Sequence, residues 1–148
     1  MENKRIVVYD LEPDALKAMM AMQNYADQTD LDPKLKELIK IRASQINGCA
    51  YCLDMHTEEA LRLGETERRI IAVSVWHESH LFSEEERALL KFTEEVTRIS
   101  DGGVSDETYN RVVKFFGEKV TAQIIMQIVV INSWNRVNVA TGRQIFKP

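Results

Sequence analysis

Apolar residues in this chain recur at three- and four-residue intervals, and that spacing limits the fold more than any other feature. Leu35, Leu38, Ile39, Arg42 and Ile46 show it well: together they make one stripe along a helix. Leu16, Met19 and Met20 begin a similar pattern after Pro13, and Leu89, Leu90, Phe92, Val96 and Ile99 form another. Six glycines and three prolines in 148 residues leave few places for tight turns, which favours a few long helices. The stop and start signals agree. Asp32-Pro33 offers an N-cap followed by proline at the first helical position, and Asn47-Gly48 breaks the helix that follows. A further helix is expected from Cys49 to Leu63, with Gly64 just past its end. Thr66 caps the next, in which Ile70, Ile71, Val73, Val75 and Trp76 are dense enough for burial. Ser83-Glu84-Glu85-Glu86 reads as a capping box. After the loop Ser100-Asp101-Gly102-Gly103, Ser105 opens a short helix through Phe116, and a last helix runs from about Lys119 to Gly142. The expected fold is all-α, one domain of roughly six or seven helices over residues 13–148, preceded by an N-terminal arm over 1–12. In the arm, Ile6–Tyr9 reads as a short strand.

Length and charge narrow the function classes. A chain of this size holds one domain with one real core. Its formal charge of −4 and the absence of a Lys/Arg cluster give no reason to expect nucleic acid or an anionic membrane as a partner. The run Ile6-Val7-Val8-Tyr9 is too short for a signal-peptide core. The apolar stretch around Ile124 to Ile131 is interrupted by Gln123 and Gln127 and falls short of the ~20 residues a membrane span needs. A cytoplasmic protein is expected. In a reducing compartment, two cysteines three residues apart point to redox, catalytic or metal chemistry rather than to a structural cross-link.

The candidate chemistry lies in Cys49-Ala50-Tyr51-Cys52-Leu53-Asp54-Met55-His56. On a helix, Cys49, Cys52 and His56 fall within roughly 60° of one another. Cys52 and His56 form an i, i+4 pair, so an imidazole can serve the thiol one turn away. Cys49 stands where a helix should begin, and the unpaired N–H groups there favour thiolate over thiol. Glu37, twelve residues earlier, could orient His56 or pass it a proton. Spacing alone equally allows Glu37 to be a surface residue paired with Lys36 and Lys40.

The run Glu37-(eleven residues)-Cys49-x-x-Cys52-x-x-x-His56 resembles the motif of the alkylhydroperoxidase D-like (AhpD-like) proteins of the carboxymuconolactone decarboxylase-like superfamily. Leu81-Phe82-Ser83-Glu84-Glu85-Glu86-Arg87 and Asn132-Ser133-Trp134-Asn135-Arg136 are similar to segments of the same family. The likeness covers roughly residues 13–145. It implies the AhpD-like helical fold, a homo-oligomer such as a trimer or hexamer, and a dithiol that cycles to a disulfide. It also implies a proton relay of Glu37, Cys49, Cys52 and His56, a small hydroperoxide as substrate, and an external thioredoxin-like or lipoyl-type dithiol as reductant, with no bound cofactor. In one respect the chain departs from the pattern: Tyr51 stands where the best-studied type has a second histidine.

Other readings compete with this one. Cys-x-x-Cys plus His supplies three zinc ligands, yet structural zinc usually takes four, and only Glu37 could complete the set. A haem attachment site needs His directly after the second cysteine, where Leu53 stands. His77 and His80 have helical spacing but no evident further ligands, and read as a solvated helix end. Trp134 reads as a core or interface residue. A lactone decarboxylase would have no use for a redox dithiol. A metal-binding or redox-sensing protein without catalysis is the remaining alternative.

Overall fold

A computed structural model describes residues 5–145, and among them there is no strand. The helices are α1 (Val8–Leu11), α2 (Pro13–Asp27), α3 (Pro33–Asn47), α4 (Ala50–Arg62), α5 (Glu67–Ala72), α6 (Glu84–Thr97) and α7 (Asp106–Thr141). Short 3-10 turns occupy Val73–Glu78 and Ile99–Asp101. The all-α, single-domain AhpD-like fold is as the sequence implies.

The arm differs from expectation. Val8–Leu11 closes a helical turn, with Glu12 N donating to Val8 O at 2.8 Å, instead of a strand. No second strand is present among the described residues to satisfy an extended backbone there, so the chain meets its hydrogen bonds locally. Residues 1–4 of the arm lie outside the described residues.

Local signals set most helix ends. Asp32 accepts from Lys34 N at 2.8 Å and Pro33 takes the first helical position. Ser83 and Glu86 form the reciprocal capping box, and Ser105 caps α7 through Thr108 N. The two expected C-terminal helices are continuous in sequence but broken at Gly117, whose φ of 76° and ψ of 167° no helix contains.

The centre of the molecule is α3. Lys36 through Ser44 are all buried, so this helix is covered on every side by α4, α6 and α7. Ile39 and Ala43 enter one apolar cluster with Leu89, Phe92, Val112, Ile124 and Ile128. Leu38 and Ile41 enter another, with Ala60, Ile70, Val73, Trp76 and Leu90. The helix expected after Thr66 tightens into a 3-10 turn, where residues three apart eclipse. Val73 and Trp76 both turn inward, while Ile71 and Val75 stay exposed, contrary to the burial their density suggests.

Candidate functional site

α3 ends at Gly48, which takes the left-handed conformation (φ 66°) that residues with a side chain adopt only at a cost. Cys49 N then donates back to Ser44 O at 3.0 Å, and the chain reverses into α4. Cys49 becomes the N-cap of α4, its Sγ accepting from Cys52 N at 3.3 Å. Cysteine is an unusual cap, and its sulfur thereby sits at the positive end of the helix dipole. Cys49 and Cys52 are joined in a disulfide, with their Cα atoms 5.3 Å apart. Both are buried, at 2% and 1% exposure.

The same α3–α4 hairpin carries His56 back alongside Glu37. Glu37 Oε2 lies 3.1 Å from His56 Nδ1, and Glu37 Oε1 accepts from Lys40 Nζ at 2.8 Å. Burial alone would push the Glu37 carboxyl up. The His56 hydrogen bond and the Lys40 charge outweigh it and hold the group below its ordinary value, so it stays ionised. An ionised carboxylate only accepts, so His56 donates through Nδ1, and a neutral imidazole keeps its lone pair on Nε2. Neither sulfur hydrogen-bonds His56 among the described residues; the disulfide leaves no S–H to offer.

The lysines correct the surface reading of Glu37. Lys40 is buried against it, and Lys36 is buried facing away, donating to Asp27 O and Thr29 O at the end of α2. Burial lowers the Lys36 ammonium below its ordinary range. His77 and His80 are exposed at the end of the 3-10 turn, as expected, and the His77 ring also stacks on Trp76 with centroids 3.7 Å apart, its Nε2 3.5 Å from Glu94 Oε2. Glu94 is itself buried and accepts from Arg42 and from Trp76 Nε1. Trp134 donates to Gln23 and meets Tyr9 edge-on.

One face of α7 closes the site. Asn132, Asn135 and Asn138 stand three residues apart along it. Asn47 Nδ2 donates to the side-chain oxygens of both Asn132 and Asn135, and Asn135 Nδ2 donates to Ser44 Oγ. Asn138 Nδ2 donates to Cys52 Sγ at 3.3 Å. Sequence reasoning missed Asn138 and Lys40. The signal for the first was present: three asparagines at i, i+3 spacing along one face of the last helix, directly after the apolar run Ile128-Val129-Val130-Ile131. Tyr51, between the cysteines, lies under the Arg143 guanidinium, 4.0 Å from the ring centre.

A cleft of about 470 Å³ between the 3-10 turn, α6 and α7 is lined by Trp76, His77, Arg87, Lys91, Glu95 and Arg111 among others, and takes in none of Glu37, Cys49, Cys52 or His56. Among the described residues, no three His, Cys, Asp or Glu side chains are gathered as metal ligands.

With this geometry established, the model of the carboxymuconolactone decarboxylase family matches residues 13–95, more than half of the chain. The chain belongs to that family. Within it, the protein is AhpD-like. It is 42% identical to the uncharacterized protein YdfG of Bacillus subtilis (strain 168) over 142 residues, 96% of this chain and 97% of that one. A crystal structure from Agrobacterium tumefaciens, of a protein described as a candidate antioxidant defence protein AhpD, superposes with a TM-score of 0.95 at 38% identity, covering 99% of this chain and all of that one. The debrominase Bmp8 shares the fold, with a TM-score of 0.81 at 24% identity over 92% of this chain and 73% of its own. No helix among the described residues is long and apolar enough to cross a membrane.

Proposed function

We propose that this carboxymuconolactone decarboxylase family member is a thiol-dependent hydroperoxide reductase, a dithiol–disulfide oxidoreductase acting through Cys49, Cys52, His56 and Glu37. The observation that carries the reading is a disulfide at the first turn of α4, on the same hairpin as a carboxylate–imidazole pair whose carboxylate is buried. The likeness to the Agrobacterium protein supports it.

In the reduced enzyme, His56, held by Glu37, takes the thiol proton of Cys52. The thiolate attacks the distal oxygen of the hydroperoxide, the O–O bond breaks, and the alkoxide leaves as an alcohol with the proton from His56. Cys52 is then a sulfenic acid. Cys49 attacks its sulfur, a water molecule leaves, and the disulfide forms. An external dithiol, thioredoxin-like or lipoyl-type, returns two electrons and two protons by thiol exchange. No bound cofactor is required. A lactone decarboxylation gives this disulfide no task.

The test is peroxide consumption by the purified protein with thioredoxin-like and lipoyl-type donors, wild type against Cys52→Ser. Turnover with at least one donor, abolished in the variant, is the expected result. A wild-type protein that stays reduced in excess peroxide would overturn the reading.

A further inference from the structure

We propose that Asn138 belongs to the active site: its side-chain amide stabilises the thiolate of Cys52 and so decides which sulfur departs when the disulfide opens. This rests on the dithiol–disulfide reading above. Asn138 is 5% exposed, and its Nδ2 is directed at Cys52 Sγ at 3.3 Å. A disulfide sulfur is a weak acceptor and a thiolate a strong one. Hydrogen bonds to an ionised partner are roughly twice as strong as neutral ones, so the amide favours the reduced, anionic form over the disulfide. Cys49 Sγ has a different donor, the main-chain N–H of Cys52. The helix dipole acts on both sulfurs, since both lie in the first turn. The Asn138 amide acts on Cys52 alone.

Thiol exchange then has a direction. A thiolate of the external dithiol attacks Cys49 Sγ and forms a new S–S bond. The Cys49–Cys52 bond breaks, and its electron pair passes to Cys52 Sγ beneath the Asn138 amide. The dithiol's second thiol gives up its proton, attacks its own first sulfur and releases Cys49 as a thiolate. Two electrons have moved from the dithiol to the protein, and the two protons the dithiol released to solvent are available to the Cys49 and Cys52 thiolates. The better-stabilised thiolate leaves faster, which places the mixed disulfide on Cys49. The other titratable groups around this turn are His56, Asp54 and Tyr51 on α4, Glu37 and Lys40 on α3, and Arg143 just beyond α7. Among the described residues, none of them hydrogen-bonds Cys52 Sγ.

The experiment measures thiolate absorbance near 240 nm against pH in single-cysteine proteins, Cys49→Ser to read Cys52 and Cys52→Ser to read Cys49. Each is compared with and without Asn138→Leu, which keeps the side chain's size and removes the donor. Asn138→Ala serves as a second variant that keeps the test decisive should leucine disturb folding. The Cys52 midpoint should rise by roughly one pH unit, about a tenfold loss of thiolate at a fixed pH below it, while Cys49 holds. In the two-cysteine protein, Asn138→Leu should shift equilibrium with glutathione about tenfold toward the disulfide, roughly 30 mV. An unmoved Cys52 midpoint, or equal shifts at both cysteines, would overturn the assignment. A Cys52 shift in a protein that consumes no peroxide would sink the peroxide reading and leave Asn138 in place.

Discussion

Glu37 receives two donors inside the α3–α4 hairpin, and the second, Lys40, decides what a substitution there does. Replacing Glu37 with Gln removes the charge that balances a buried ammonium. Breaking a buried pair from one side costs about 3–5 kcal/mol, so Glu37→Gln alone should unfold at markedly lower urea. Glu37→Gln with Lys40→Met removes both charges and should recover most of that stability. The double variant then isolates the chemistry: oxidation of the dithiol by peroxide should slow about 10²-fold, the scale of general-base assistance. An unchanged rate in a folded double variant would take Glu37 out of the relay. The pH dependence follows from the same geometry. The folded carboxyl is held below its ordinary value, so between the two values the unfolded chain binds more protons than the folded one. Its stabilisation is therefore complete above the unfolded value of about 4.3 and drains as the pH falls through the lower, folded one. Acid unfolding below pH ~4 should be less steep in the double variant than in the wild type.

Among the helices, α7 holds two positions that respond in opposite directions. Gly117 has φ 76° and ψ 167°, a conformation open essentially to glycine alone, and it separates the cap-proximal part of α7 from the part that reaches the cysteines. Gly117→Ala should cost about 1–3 kcal/mol, although a Cβ there meets no atom within 4 Å. Gln127, ten residues on, is buried with neither side-chain amide atom bonded to a protein partner among the described residues. Gln127→Leu should stabilise by about 1–2 kcal/mol, raising the melting temperature by a few degrees. A lower melting temperature would show that the amide has a use. The same contrast explains what could be read from sequence. Asp32-Pro33, Ser83 with Glu86, Ser105 and Gly48 act on their own neighbours, so the helix ends they fix were legible. The stripe of Leu35, Leu38, Ile39 and Ile46 was legible too, but a period tells which face is apolar and not whether the opposite face is also covered. For α3 it is covered, and that is why Lys36, Glu37, Lys40 and Arg42 turned out buried and paired. Cys49, Cys52, His56 and Glu37 were visible as a motif. Asn138 comes from 86 residues beyond Cys52, and only tertiary packing brings it there.

At the scale of the whole molecule, the apolar surface is unevenly spent. α2 is fifteen residues long, yet among its residues only Ala26 is buried. Leu16 and Met20, four apart on one side of it, are exposed, as is Leu11 just before it. An isolated helix of this length is marginal in water and is ordinarily held by packing along an apolar face. Here α1 and α7 supply only part of that cover. Across the molecule, Ile71 and Val75 stand out from the 3-10 turn region, with Ile71 72% exposed. Single exposed apolar residues are ordinary, but a helix left mostly uncovered calls for a partner surface. We propose that second copies of this chain cover these faces in a homo-oligomer, a trimer or hexamer. The chemistry needs access of its own, because both cysteines of the disulfide are buried within the single chain. Light scattering at micromolar concentration should give a mass at least three times that of the chain. Leu16→Glu with Met20→Glu should lower that mass while leaving helicity and the Cys49–Cys52 disulfide intact. A wild-type protein that scatters as a monomer would remove the proposal, and an unchanged assembly in the double variant would move the interface away from α2.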